Sequence, residues 1–215
     1  GLPHNFKASA LYTIEQIRDK NWVKKNSHVP TLMDYSRFNY VAQPEDGIDP
    51  KDLIPKIGPY DVLSIKWAYT PIPSAKTPDE EKPTLNEWCK VQDTTPYLRF
   101  STAGTRGTDP GEESEAVGDI DAVKASTLGY KNLKRVVAML PGAVLNPGEN
   151  YDQFEHMYDA IWSQARLEAG HVANIIGGYD SVPKVGPAEG GRFTPLSKAR
   201  QAEAVAFMNE NIFKT

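Results

Sequence analysis

The chain opens Gly1-Leu2-Pro3-His4-Asn5-Phe6, and a second run, Leu32-Met33-Asp34-Tyr35, follows Pro30. Imidazole can bind a metal or move a proton, a phenol can donate a hydrogen bond, and glycine lets a backbone reverse. By itself Gly-x-x-His is a weak signal, because a lone histidine is most often structural. Other residues with chemical potential are few. Glu168-Ala169-Gly170-His171 has the Glu-x-x-His spacing of di-iron bundles, but those need a second copy and two further helical glutamates. None occurs, so His171 is expected to pack against or cap a helix. The acidic group Asp109, Glu112, Glu113, Glu115, Asp119 and Asp121 lacks the alternating ligands and central glycine of a hand-type calcium loop, and reads as a solvated face. Cys89 is the one cysteine, which excludes an internal disulfide and a cysteine-based metal cluster. With no adjacent histidine to activate it, Cys89 reads as a free buried thiol. Trp67, Trp88 and Trp162 are expected in the core rather than as a sugar platform. There is no glycine-rich phosphate loop and no Gly-x-Ser-x-Gly.

Together the two runs resemble the back half of the metzincin signature, a zinc site of the form HExxHxxGxxH followed by a methionine turn. Gly1 and His4 stand in the frame of its Gly-x-x-His, and Met33 in that of the turn. Further blocks narrow the resemblance to the bacterial Met-zincin family of zinc-dependent peptidases. They are His4 to Ser9, Met33 to Pro44, Ile57-Gly58-Pro59-Tyr60-Asp61, Leu128 to Val136, His171-Val172 with Ile176-Gly177-Gly178, and Gln201 to Phe207. The similarity covers nearly the whole chain. It implies zinc as cofactor, a peptide or protein as substrate, and a secreted, periplasmic or cell-envelope location. It also implies that His4 is a zinc ligand and Met33 the apolar base beneath the ion. Tyr35 matches a position that donates to the oxyanion or ligates zinc. One departure is decisive: no His-Glu-x-x-His occurs anywhere. Two ligands and the general base are therefore expected in a missing N-terminal catalytic part. This chain alone is expected to be inactive and to hold zinc weakly. The alternatives are a non-catalytic helical binding or scaffold domain, and a calcium- or carbohydrate-binding helical domain.

The elements that must position these residues follow from punctuation and period. Seventeen prolines concentrate from Pro44 to Pro110 and from Pro183 to Pro195, marking loop-rich stretches. Thr13 with Gln16 has the form of a capping box and predicts a helix fading near Lys20. Val62, Ile65 and Tyr69 predict a short helix from Asp61 to Tyr69. Asp121 caps a predicted helix through Leu140, with Val123, Leu133, Val136, Val137 and Leu140 apolar and Pro141-Gly142 as its stop. From Tyr151 to Ile176 the three-and-four spacing of Tyr151, Phe154, Met157, Tyr158, Ile161, Trp162 and Ala165 predicts a long helix with a buried face. Tyr179 to Phe193 admits a small hairpin. Ser197 to Ile212 predicts a last helix, with Ala202, Val205, Ala206 and Phe207 near one face.

The expected fold is thus mainly α: a loop-rich N-terminal half with the Met-turn, plus a C-terminal helical bundle and a small β-hairpin. Residues 1–103 are expected to form the C-terminal part of a metzincin-like catalytic domain, 104–118 an exposed loop, and 119–215 a helical subdomain. The helical half is expected to be the stable unit, and the stretch through Ser9 to be poorly anchored. A length of 215 residues suffices for one large domain or two small ones. A formal charge of -4 with scattered lysines and arginines argues against nucleic acid. No apolar run approaches the roughly 18 residues of a membrane helix. No signal peptide is present, and the start at Gly1 rather than Met reads as a cut.

Overall fold

The computed structural model describes residues 1–101, 108–113, 115–118, 121–182 and 190–214. After an extended start and a 3-10 turn at Ala8–Ala10, α1 (Ile14–Arg18) begins at the predicted capping box. Thr13 Oγ1 accepts from the Gln16 amide at 3.1 Å, and Gln16 Oε1 accepts from the Thr13 amide at 2.9 Å. The helix does not simply fade. Asp19 ends it and caps α2 (Lys20–Asn26) by accepting from the Asn21 amide at 2.7 Å. Ile14, Ile17, Val23, Val29 and Val41 are fully buried and form a core with Tyr12, Tyr40, Val117 and Ala125.

The proline-rich stretch holds more helix than its composition predicts: α3 (Pro59–Tyr69), α4 (Pro78–Cys89) and α5 (Val91–Thr94). Pro59 and Pro78 open their helices, where a missing N–H has no intrahelical partner to lose. Two long helices follow, α6 (Ala122–Val144) and α7 (Asp152–Ala173). The predicted stop at Pro141 is overrun. Pro141 brings no N–H to the helix, but its carbonyl still accepts from the Leu145 amide at 3.1 Å, and the helix runs on to Val144. Strands β1 (Tyr179–Ser181) and β2 (Phe193–Pro195) pair antiparallel with Asp180 opposite Thr194, and α8 (Lys198–Met208) ends in a π turn. The fold is mainly α with one small hairpin, as the sequence implies.

The buried faces of α7 and α8 differ from expectation. Tyr151, Tyr158 and Trp162 are exposed (Trp162 at 51%), with Arg166 lying over the Trp162 ring at 5.8 Å. What α7 buries is its second half, Ala165, Glu168, Ala169, His171 and Val172. On α8 the buried residues are Ala204 and Phe207, in a second core with Ala122, Val172, Ile175 and Leu196. Ala202, Val205 and Ala206 face outward. Periodicity marks an apolar face, but only a covering element makes it core. The helical half is therefore not the better-filled unit: the core around Ile14 and Ile17 lies in the N-terminal half. Nor is the loop exposed where it is described, since Asp109, Glu112, Glu113, Ala116 and Val117 are buried; Asp119 lies outside the described residues. Trp67 is exposed, while Trp88 and Cys89 are half-buried and the Cys89 thiol is free. Among the described residues no helix is long and apolar enough to cross a membrane.

Where α6 and α7 touch, Gly129 has no side chain to spare. A Cβ there would come within 2.1 Å of Glu168 Oε2. The Glu168 carboxylate is sealed in this contact, accepting on Oε1 from Gln164 Nε2 at 3.1 Å. Burial pushes its carboxyl from 4.5 up to about 7. The folded state then keeps a proton that the unfolded chain has already released, so this group's contribution to stability falls as pH rises from about 4.5 to 7. Glu168→Gln is expected to gain stability over the parent on going from pH 4.5 to pH 8, by up to roughly 3 kcal/mol at 1.4 kcal/mol per pKa unit. Chemical denaturation at the two pH values reads this, and a constant difference would refute it. Ile17→Ala is expected to lose about 2–5 kcal/mol as a core truncation, whereas Trp162→Ala should stay within about 1 kcal/mol. Comparable losses in denaturant midpoint would contradict that ranking.

Candidate metal-ligating site

The site is made by laying the segment 4–9 against the turn 30–36. The Asn5 amide donates to the Met33 carbonyl at 2.8 Å, and the Phe6 amide to the Ser101 carbonyl at 3.2 Å. The buried Asn5 side chain fixes this from the other edge, donating to the Arg99 carbonyl at 3.0 Å and accepting from the Ser101 amide at 3.1 Å. From Asn5 onward the N-terminal segment is therefore tied down, contrary to the expectation of a loose start. Lys7, Ala8, Ser9 and Ala10 are all buried.

The turn is shaped by short polar side chains. Thr31 Oγ1 accepts from the Met33 amide at 2.9 Å and donates to Asp61 Oδ1 at 2.6 Å. Asp61 Oδ2 accepts from the amides of Leu32 at 3.0 Å and Gly58 at 2.7 Å, tying the turn to the start of α3. Gly58 is required here, since a Cβ would stand 2.2 Å from the Pro30 carbonyl oxygen. Asp34 accepts from the Ser36 amide at 2.8 Å through Oδ1 and from the Ser9 amide at 2.9 Å through Oδ2. One carboxylate thus closes the turn on itself and clamps it to the segment leaving His4. Burial pushes the Asp34 carboxyl from 3.8 up to about 7, with these amide donors acting the other way. Beneath the turn, fully buried His28 places Nε2 2.8 Å from Ser36 Oγ, and burial holds this imidazole down to about 3 and hence neutral.

On this platform His4, Met33 and Tyr35 come together. His4 Nδ1 lies 3.1 Å from the Met33 carbonyl oxygen. A carbonyl can only accept, so Nδ1 carries the proton, and in the neutral ring the lone pair is left on Nε2. That is how a neighbouring carbonyl prepares an imidazole for a metal. His4 is exposed. The half-exposed Tyr35 ring lies against it, centroids 4.2 Å apart at 33°, and Phe6 stacks on Tyr35 at 5.1 Å. Zinc would find one imidazole here and not a set of ligands. Among the described residues no group of three or more His, Cys, Asp or Glu side chains could hold a metal ion. His28 and His171 are buried away in the fold, and His156 is on α7.

Residue-type reasoning found His4, Met33 and Tyr35 but passed over Asp34, Asn5, His28 and Asp61. Two of these were signalled. Asp34 with Ser36 two residues on is an Asx-turn pattern, and Asp61 sits three residues after Gly58 at a proline-initiated helix. Asn5 acts across long sequence separations, to Arg99 and Ser101, and leaves no local trace; His28 reaches only Ser36, but no cap or turn pattern marks that pair.

The family model for Met-zincin matches residues 1–215. The chain belongs to the Met-zincin family. The class is that of metallopeptidases, so membership implies zinc in the intact enzyme and peptides as its substrates. No curated protein and no solved structure matches the chain.

Asp34→Ala is expected to strand the buried amides of Ser9 and Ser36, at about 1–3 kcal/mol for each unsatisfied group. Hydrogen exchange at these two amides should accelerate well before global unfolding. Unchanged protection would show that the clamp is not needed.

Proposed function

We propose that the chain is the C-terminal part of the catalytic domain of a zinc-dependent metallopeptidase, and that His4 is one of its zinc ligands. The observation supporting this is the His4 Nδ1 contact with the Met33 carbonyl, which leaves the Nε2 lone pair free for a metal and gives the turn the place of an orienting partner. When bound, zinc supplies Lewis-acid activation for water-dependent cleavage of a peptide bond. The remaining ligands and the general base come from a separate catalytic part, so the chain alone is inactive. A secreted, periplasmic or cell-envelope location belongs to the same reading.

This chain's own residues have three tasks in that proposal. Met33 and Asp34 hold the turn so that the imidazole keeps one tautomer and one orientation. Phe6 and Tyr35 flank the His4 ring and limit its rotation. Tyr35, half exposed beside the ligand, offers a phenol donor to a developing oxyanion.

Zinc measured by mass spectrometry after dialysis, together with casein hydrolysis, tests this directly. The chain alone should show no turnover and well under one zinc per chain. One tightly held zinc with turnover would overturn the incomplete-site reading. With the missing catalytic part restored, His4→Ala should lose zinc. Tyr35→Phe should keep it but lower turnover by about a hundred- to a thousand-fold, as for loss of one oxyanion donor. Unchanged turnover in Tyr35→Phe would leave the tyrosine only a packing role.

A further inference from the structure

Two buried side-chain oxygens among the described residues have no hydrogen-bond partner, Asn39 Oδ1 and Glu168 Oε2. Both residues line one cleft of about 420 Å³, where the chain around 38–53 passes the contact of α6 with α7. Each open oxygen is fixed by what the other end of its group does. Asn39 Nδ2 donates to the Ile17 carbonyl at 2.6 Å. A carbonyl only accepts, so this amide cannot be turned over, and Oδ1 is held away from Ile17. Gln164 Nε2 donates to Glu168 Oε1 at 3.1 Å, and Gln164 Oε1 accepts from Arg37 Nη2 at 3.2 Å, which fixes that amide too. Glu168 Oε2 is left lying over Gly129, itself a lining residue, whose missing side chain makes room for it.

A buried acceptor without a donor is costly, and a buried carboxylate without a cation more so. Two open oxygens on one cleft therefore call for a ligand that donates, and the carboxylate calls for a cation. Arg135, the one cation among the lining residues, is committed elsewhere. It donates to Gln43 Oε1 at 2.8 Å, Asn132 Oδ1 at 2.9 Å and Glu45 Oε2 at 3.3 Å. Burial is what pushes the Glu168 carboxyl up to about 7, and an adjacent cation would act the other way. The walls are largely apolar, formed by Phe38, Leu53, Leu133, Val136 and Met139. An occupant thus needs an apolar stem and a compact head of donors. An ammonium carries three donors and a guanidinium five in a rigid fork, so two open oxygens match the ammonium better.

We propose that this cleft binds a primary ammonium group on an unbranched alkyl stem, its head shared by Glu168 and Asn39, as a lysine side chain or a free alkylamine presents it. Neither oxygen belongs to the His4 site, so the cleft serves the chain whether or not zinc binds there.

Calorimetric titration of the chain at neutral pH with n-butylammonium, n-butanol and a short peptide holding one internal lysine tests it. The amine is expected to bind saturably. The uncharged alcohol, with the same stem, should bind at least about tenfold more weakly, the scale of a hydrogen bond to a charged group. Glu168→Gln keeps the size of the side chain and should weaken amine binding by a similar factor, with a cooperative melting curve showing that the fold is intact. Met139 is 67% exposed, so Met139→Lys should leave folding unchanged while its added charge weakens amine binding several-fold. That variant decides the matter if Glu168→Gln does not fold. Tighter binding of the peptide than of butylammonium would identify a lysine side chain as the source of the head, and the reverse order a free amine; both support the proposal. Butanol binding as tightly as the amine, or amine binding unchanged in Glu168→Gln or in Met139→Lys, would reduce the cleft to an apolar pocket and overturn it. No saturable binding of amine or peptide would overturn it as well, leaving the two oxygens to water.

Discussion

The ammonium of Lys7 is the contact on which the arrangement of segments most depends. It is 3% exposed, and it lies 2.8 Å from Asp109 Oδ2, 3.2 Å from Asp180 Oδ1 and 2.7 Å from the Ser181 carbonyl. Asp109 in turn accepts from the amides of Gly111 at 2.7 Å and Ser181 at 2.8 Å. One buried cation thus gathers the start of the chain, the 108–113 turn and strand β1. A buried charge has no bulk water to fall back on, so its partners must be in place together, and deleting one leaves the other uncompensated. Lys7 stands three residues after His4. Fixing it sets the register in which Asn5 meets the Met33 carbonyl and Phe6 meets Ser101.

The second constraint is the backbone between Tyr40 and Gln43. It belongs to no helix or strand, and its carbonyls still require donors. They come from α6. Asn132 Nδ2 donates to the carbonyls of Tyr40 at 2.9 Å and Ala42 at 2.7 Å, and Gln43 Nε2 donates back to the Leu128 carbonyl at 3.1 Å. Arg135 adds a bond to Gln43 Oε1 at 2.8 Å. The segment leaving the 30–36 turn is therefore held on the long helix by side chains rather than by a sheet ladder. The core follows the same route, since Val117 and Ala125 complete the cluster around Ile14 and Ile17. The loop-rich half and the helical half are not independently filled units.

The His4 site combines rigid support with an open face. Below it lie the neutral, fully buried His28, bonded through Nε2 to Ser36, and the carboxylate of Asp34, which accepts from the amides of Ser36 and Ser9. Above it, the imidazole and the Tyr35 ring remain accessible. Buried polar networks of this kind specify one geometry because each unmet bond would be expensive in a dry interior.

Read alone, the sequence determined whatever is local. The Thr13–Gln16 capping box, the Asp121 and Ser197 caps and the turns of the long helices all depend on residues within a few positions of one another. The Gly-x-x-His and the Met-Asp-Tyr turn are each recognisable by residue type at a spacing, although 29 residues separate His4 from Met33. Tertiary structure decided which apolar faces became core, and it reversed the expectation at Trp162, at Val205 and at the supposedly exposed acidic loop. It also decided that Pro141 would sit inside a helix and that Lys7 and Asp109 would be buried. The physical reason is the same throughout. Periodicity and propensity describe a segment's own surface, whereas burial and polar pairing depend on what another segment, often a hundred residues away, brings against it.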